Sequence, residues 1–356
     1  MTSPLKFALL VTMTFYAPAA LAATSCSTAA PNYAAAVGGF GNIDGTMYNP
    51  DRTPFVARGI NVLDANLASV ASTIDKTFSG INFIRVPVYK NKGAYADPST
   101  FAAAVKTLTA KGIVVEFEDH TTSTGGDAGG GQGVIFSGQM LADELAWDTA
   151  MAKAFATNPY VWFGTNNEPP LKTTAGGPDN IAALSTWQGE QYDAIRKAGN
   201  NNPILLAING WADPTSFAKG YTPSVYAKMT NVVADVHIYP WLFKYSTDQA
   251  FVDKQIAAMI AQTQARLPTA DGKMPILIGE YGQDSDKPEL QEGGLQVINA
   301  VANAAKNGVS SAAWYYATGH DGLINANGSL SAYGQKVASF IAGSGSTGCP
   351  VSPLGR

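Results

Sequence analysis

The chain has 356 residues, 46% of them hydrophobic and only 14% charged, which is enough apolar content to bury a large core and argues against a disordered majority. Its formal net charge is -4 and its basic residues are scattered singly. No basic stripe exists to neutralise a phosphate backbone, so nucleic acid is not an expected partner.

In chain order, the first feature is Lys6, followed by an apolar run over 7–16 and then Ala20-Leu21-Ala22. These are the charged, hydrophobic and small-residue zones of a secretory signal peptide, so residues 1–22 are expected to be a leader cut after Ala22. The run is short for a membrane span, which needs about 20 apolar residues, and no later stretch approaches that length. The mature chain, 23–356, is therefore expected to be exported, soluble, without a membrane partner and monomeric. Cys26 and Cys349 are the two cysteines. An oxidising destination favours a bridge between them, with two free thiols as the alternative. A lipid-anchor reading of Cys26 is disfavoured because Ala23-Thr24-Ser25 lack the leucine such a signal carries.

A turn-rich segment over 38–53 predicts a small hairpin, expected to close the floor of the domain. Eight short runs rich in β-branched and aromatic residues follow, at 55–61, 81–88, 113–118, 161–166, 203–208, 232–237, 276–280 and 312–316. Helically spaced apolar residues fill the intervals at 101–110, 140–156, 181–198, 251–267 and 290–305. Eight βα units predict an α/β fold, a single (β/α)8 TIM barrel. The competing architecture is a doubly wound open sheet, whose dinucleotide signature belongs after the first strand. The glycine-rich stretch 125–133 instead follows the third and lacks the Lys-Ser/Thr ending of a phosphate loop, so it reads as a loop at the barrel mouth.

In such a barrel the chemistry sits at the C-terminal ends of the strands. Arg85 lies in the second, Asp119-His120 closes the third, and Asn167-Glu168-Pro169 ends the fourth. His237 and Tyr239 end the sixth, Glu280 ends the seventh, and Trp314 lies in the eighth. Two carboxylates facing one another are what glycosidic cleavage requires, one to protonate the departing oxygen and one to attack or to activate water on the opposite face. Glu168 and Glu280 fit these two posts; a solvated loop charge or surface ion pair is the plain alternative for either alone. Glu118 and Asp119 read as orienting groups rather than a second catalytic pair.

The ordered set Arg85, His120, Asn167-Glu168-Pro169, His237-Ile238-Tyr239, Glu280 and Trp314 resembles the signature of glycoside hydrolase family 5, the cellulase-type enzymes, over essentially the whole mature chain. The resemblance implies a retaining mechanism with Glu168 as acid/base and Glu280 as nucleophile. It implies that Arg85 and Tyr239 orient the nucleophile, that Asn167 meets the sugar 2-hydroxyl, and that His120 and His237 bind hydroxyls in the same subsite. Trp314 is a flat apolar platform for a pyranose ring, with barrel packing as its plain alternative. Trp241, Trp211, Tyr245 and Phe136 are candidates either to lengthen the cleft or to anchor their loops. The expected partner is a polysaccharide or oligosaccharide, foremost a β-1,4-glucan, with β-mannan the near rival. No cofactor is expected and no metal, since none of the three histidines lies within four residues of another. Readings of other classes are a non-catalytic carbohydrate-binding barrel and a secreted barrel enzyme that uses a metal.

Overall fold

The computed structural model describes residues 39–91, 93–124, 133–208, 212–214, 223–283 and 293–343. The expected leader, both cysteines, Trp211 and most of the 125–133 loop lie outside the described residues.

Eight parallel strands close into a barrel in sequence order: β1 (Arg58–Asn61), β2 (Phe83–Val88), β3 (Val114–Asp119), β4 (Val161–Gly164), β5 (Ile204–Ala207), β6 (Val232–Ile238), β7 (Ile276–Tyr281) and β8 (Ser310–Ala313), with β8 returning to β1. All eight expected runs supply one strand each. The strands are nearly continuous apolar segments because both faces are covered. Val115, Phe117 and Phe163 belong to the layer beneath the helices, whereas Phe83, Val114, Trp162, Leu205, Val233 and Leu277 belong to a separate apolar cluster inside the barrel.

Helices α1 (Asp64–Val70), α2 (Ile74–Thr77), α3 (Ala102–Thr109), α4 (Gly138–Ala154), α5 (Ile181–Lys197), α6 (Pro223–Tyr226), α7 (Gln249–Arg266), α8 (Gly294–Ala305) and α9 (Ala332–Gly343) accompany the strands. The starts of α5 and α7 follow from side-chain capping: Asn180 accepts the Ala183 amide and Asp248 accepts the Phe251 amide. The helices not expected from the sequence are α1, α2 and α6, too short to show a helical period, and α9. The last buries Tyr333, Val337 and Ile341, an i, i+4, i+8 stripe. Helix α4 carries two acids, Glu144 and Asp148, on its buried side. Glu144 accepts from Trp187 Nε1 at 2.6 Å and Gln191 Nε2 at 2.9 Å, joining α4 to α5 through a polar clamp.

The expected floor hairpin is present, Gly41–Ile43 paired with Thr46–Tyr48. Its two-residue turn, Asp44-Gly45, has positive φ at both positions (45° and 91°), the mirror-image turn whose twist matches a hairpin. The hairpin brings Met47 and Phe40 to the bottom of the barrel. There Phe40 meets Phe55, Tyr160 and Trp162 edge-on, with ring centroids at 5.0, 5.1 and 5.2 Å. Phe55, expected in the first strand, is instead part of this plug, and β1 starts at Arg58. Phe40→Ala removes the ring at the centre of the plug and is expected to cost about 3–5 kcal/mol, read from the urea midpoint at unchanged slope. A loss below about 1 kcal/mol would show that the floor does not close the core.

Candidate active site

Arg85 is fully buried on the inner face of β2. Side chains from around the barrel converge on it. Nη1 donates to Asn61 Oδ1 and Glu280 Oε1, both at 3.0 Å, and lies 3.2 Å from Glu118 Oε1. Nη2 donates to Asn167 Oδ1 at 2.6 Å and lies 3.4 Å from Asp235 Oδ2; Nε is 3.7 Å from Glu116 Oε2. Burial works against the guanidinium charge, but Glu118, Asp235, Glu280 and Glu116 outweigh it and hold the group protonated beyond its usual range. Gly164 makes the space: a Cβ there would collide with Glu116 and Glu118.

Strand β4 ends at Gly164, so Asn167 and Glu168 sit in the loop beyond it rather than on the strand. Neighbouring chain holds that loop. The Asn166 amide donates to the Thr121 carbonyl at 3.0 Å, and the Asn167 N–H donates to the Asp119 carbonyl at 2.9 Å. Asp119 is itself fixed by the Tyr95 hydroxyl at 2.6 Å and the Thr121 amide at 2.9 Å. Because a guanidinium has no acceptor, the Asn167 oxygen must face Arg85 and its nitrogen must face His120 Nε2, at 3.2 Å. His120 therefore carries its proton on Nδ1 and donates it to Glu118 Oε1 at 2.7 Å.

Glu280 is held at both oxygens, Oε1 by Arg85 and Oε2 by the Tyr239 hydroxyl at 2.8 Å. Burial raises its proton affinity, while His237 and Arg85 pull the other way. Burial and the Glu280 charge likewise keep Tyr239 a phenol, able to donate. Glu168, with a side chain 11% exposed, is 2.7 Å from His237 Nδ1. One oxygen of each glutamate and a ring nitrogen of His237 lie within 4.8 Å of one another.

The family model Cellulase (glycosyl hydrolase family 5) matches residues 48–319. The chain belongs to glycosyl hydrolase family 5. Among solved structures similar to this family 5 barrel are a β-mannanase from Thermomonospora fusca (17% identity over 87% of this chain and 97% of that one, TM-score 0.65) and a β-glucanase from Saccharophagus degradans (17%, 86% and 94%, 0.64). A third is the catalytic domain of a Thermobifida fusca endoglucanase in complex with cellotetraose (15%, 86% and 97%, 0.63). At these identities the likeness shows the shared fold. No curated protein matches the chain.

The family 5 barrel brings Arg85, His120, Asn167, Glu168, His237, Tyr239 and Glu280 into one connected constellation. Trp314 lies one residue beyond β8 rather than within it. Its ring stacks on His120 (5.4 Å, 18°) and Tyr315 (4.4 Å, 28°), and its carbonyl accepts from the Tyr333 hydroxyl of α9 at 2.7 Å. Trp241 is 40% exposed on the 3₁₀ turn Pro240–Phe243 after β6. Phe136 anchors its loop: it is buried against Trp187 with centroids at 4.9 Å. His237 Nδ1 is bonded to Glu168 at 2.7 Å, while Nε2 faces Asp235 at 3.8 Å. Both His120 nitrogens have protein partners, Nδ1 in Glu118 and Nε2 in Asn167.

The residues not singled out from the sequence are Asn61, Glu116, Asp235, Tyr95 and Tyr89, whose ring centroid lies 4.9 Å from that of His120. A signal for two of them was present. Glu116 and Glu118 alternate on β3, as Asp235 and His237 do on β6, so each pair shares the strand's inward face. The Glu168, His237 and Glu280 atoms are close enough together to hold a metal ion. A metal there would have to displace any proton from the His237 nitrogen it binds, since it needs that nitrogen unprotonated. Burial disfavours that proton, but Glu280, Asp235 and Glu168 push the His237 pKa up to about 10.

Burial also pushes the Glu118 carboxyl up to about 8, and Glu116, Glu144 and Asp148 well above the usual carboxylate range. The folded chain thus binds protons that the unfolded chain releases near pH 4.5, in the case of glutamate, or near 6.5 for His237. The Glu118 contribution to stability is complete below pH 4.5 and lost as pH rises through about 8. That of His237 is complete below 6.5 and lost through about 10. Calorimetry is expected to show the melting temperature falling by roughly 5 °C or more from pH 5 to pH 9. A rise over that interval would contradict the protonated interior.

Proposed function

We propose that this chain is a retaining β-glycoside hydrolase that cleaves within a β-1,4-linked polysaccharide, with Glu168 as acid/base and Glu280 as nucleophile. The observation that carries the reading is the approach of the two carboxyl groups within one constellation that also holds His237. Retaining enzymes keep their carboxyl groups about 5–5.5 Å apart, whereas inverting enzymes need roughly 6.5–9.5 Å to admit a water between them.

Each neighbour then has a task. Arg85 and Tyr239 donate to opposite oxygens of Glu280, and these charge-assisted bonds aim the carboxylate at the anomeric carbon. Glu168 protonates the departing oxygen as Glu280 attacks, and the ionised Glu168 next takes a proton from the water that releases the sugar. Asn167, whose oxygen is fixed by Arg85, has a second amide hydrogen for the sugar 2-hydroxyl. Trp314 gives the half-buried ring on which the sugar C–H face packs.

Action within a chain needs subsites on both sides of the cut. Trp241 offers an exposed ring after β6. On the side of β2 and β3, beyond Tyr89, lies a cavity of about 740 Å³ lined by residues including Asp64, Tyr89, Lys90, Tyr95 and Thr121. A β-1,4-glucan is the backbone we assign. β-1,4-Mannan is the second reading, favoured by the mannanase fold that matches this barrel as fully as the endoglucanase does; the two sugars differ only in the orientation of the 2-hydroxyl.

Glu168→Ala and Glu280→Ala are each expected to lower turnover roughly a thousandfold or more with the fold intact, assayed on carboxymethyl cellulose, mannan, xylan, xyloglucan and mixed-linkage glucan. Azide is expected to rescue Glu280→Ala with inverted product configuration. Near-normal hydrolysis by either variant would refute the assignment, and the panel's preferred polymer decides between glucan and mannan. We also propose export with removal of residues 1–22 and a Cys26–Cys349 bridge. Intact-mass analysis of secreted protein is expected to find the chain starting at Ala23 and about 2 Da heavier after reduction; an unchanged mass would exclude the bridge.

A further inference from the structure

Asp235 is an interior acid with no part in the cleavage scheme. It lies on β6 two residues before His237, so both point into the barrel, and it is buried. Its Oδ2 is 3.4 Å from Arg85 Nη2 and 3.8 Å from His237 Nε2. The second distance is a charge contact, too long for a hydrogen bond. Among the described residues neither His237 Nε2 nor Asp235 Oδ1 has a hydrogen-bond partner. Gly279 on β7 leaves the space: a Cβ there would collide with the Asp235 carboxyl.

We propose that Asp235 is a positioning residue whose carboxylate is the counter-ion that keeps His237 an imidazolium, so that one fixed cation stands between Glu168 and Glu280 through both halves of the reaction. This rests on the roles proposed above for those two glutamates. In the first half, Glu280 forms a bond to the anomeric carbon, the bond from that carbon to the departing oxygen breaks, and the Glu168 proton goes to that oxygen. The negative charge leaves Glu280, now an ester, and appears on Glu168. In the second half, a water oxygen bonds to the same carbon, the ester bond breaks, and the water proton goes to Glu168, so the charge returns to Glu280. His237 Nδ1 is 2.7 Å from Glu168 Oε1 and 3.5 Å from Glu280 Oε2, within reach of the charge in either position.

The groups facing His237 are Glu168 from the loop after β4, Glu280 from β7, Arg85 from β2 and Asp235 from its own strand, with Tyr239 beside Glu280 and with Glu116 and Glu118 of β3 across Arg85. Burial pushes the Glu118 carboxyl up to about 8 and Glu116 well above the usual carboxylate range, which favours their neutral forms. Arg85 is then matched by Glu280 and His237 by Asp235. When the charge moves to Glu168 the total within the barrel stays constant.

The test uses the full-length enzyme labelled with ¹⁵N-histidine, its three ring signals assigned by single substitutions. Both His237 nitrogens are expected to be protonated at pH 7, and in Asp235→Asn the His237 titration is expected to drop by about one pH unit or more. In the same variant, kcat/KM is expected to fall about tenfold or more on the polysaccharide but clearly less on a dinitrophenyl glycoside, whose departure needs no proton from Glu168. An unchanged His237 titration, or equal losses on both substrates, would overturn the proposal. If Asp235→Asn does not fold, the wild-type spectrum decides: a doubly protonated ring supports it and a neutral ring at pH 7 overturns it. Failure of the underlying glycosidase reading would appear separately, as retained activity in Glu168→Ala.

Discussion

A guanidinium buried in the middle of a barrel is the constraint on which the rest of this structure depends. Removing a cation from water costs several kcal/mol even after relaxation, and only well-placed acceptors offset it. Arg85 finds them on β1, β3, β6, β7 and the loop after β4, through Asn61, Glu116, Glu118, Asp235, Glu280 and Asn167. One side chain on β2 thereby fixes the register of functional groups drawn from most of the barrel's circumference. The proposed nucleophile and the residue beside the proposed acid are both its direct partners.

That arrangement divides the molecule by height. The lower interior is apolar and closed by Phe40 and Met47, while the upper interior is crowded with acids that glycines make room for. Four carboxyl groups around one guanidinium cannot all be ionised in a low-dielectric interior, so some retain protons. Burial raises Glu116 and Glu118 well above the usual carboxylate range, whereas Glu280 has a donor on each oxygen. The strand-end loops are held by a second set of bonds, from Tyr95 through Asp119 to the backbone of Asn167, which places Glu168 without using the strand itself.

The same geometry separates the buried charge arrangement from the loops at the barrel mouth. The core that holds Arg85 and the two glutamates lies within the barrel, whereas Trp241, Tyr89 and the cavity beside Lys90 lie in segments that follow the strands. Such segments can change without disturbing the charge arrangement beneath them.

The eight strands, five of the helices and the floor hairpin were legible in the sequence because each depends on local hydrophobic period and turn chemistry. The ordered residues from Arg85 to Trp314 were legible too, since strand ends of a (β/α)8 barrel are where polar groups are informative. Helices α1, α2 and α6 were not, being too short to show a period, and the inward Glu116 and Asp235 were passed over although alternation marks their face. What only the tertiary structure decided was pairing across the barrel. His237 meets Glu168 and His120 meets Asn167, partners that come from separate stretches of chain. Periodicity reports which face a residue occupies, but closure of the barrel determines which charges share that face and so which of them keep their protons.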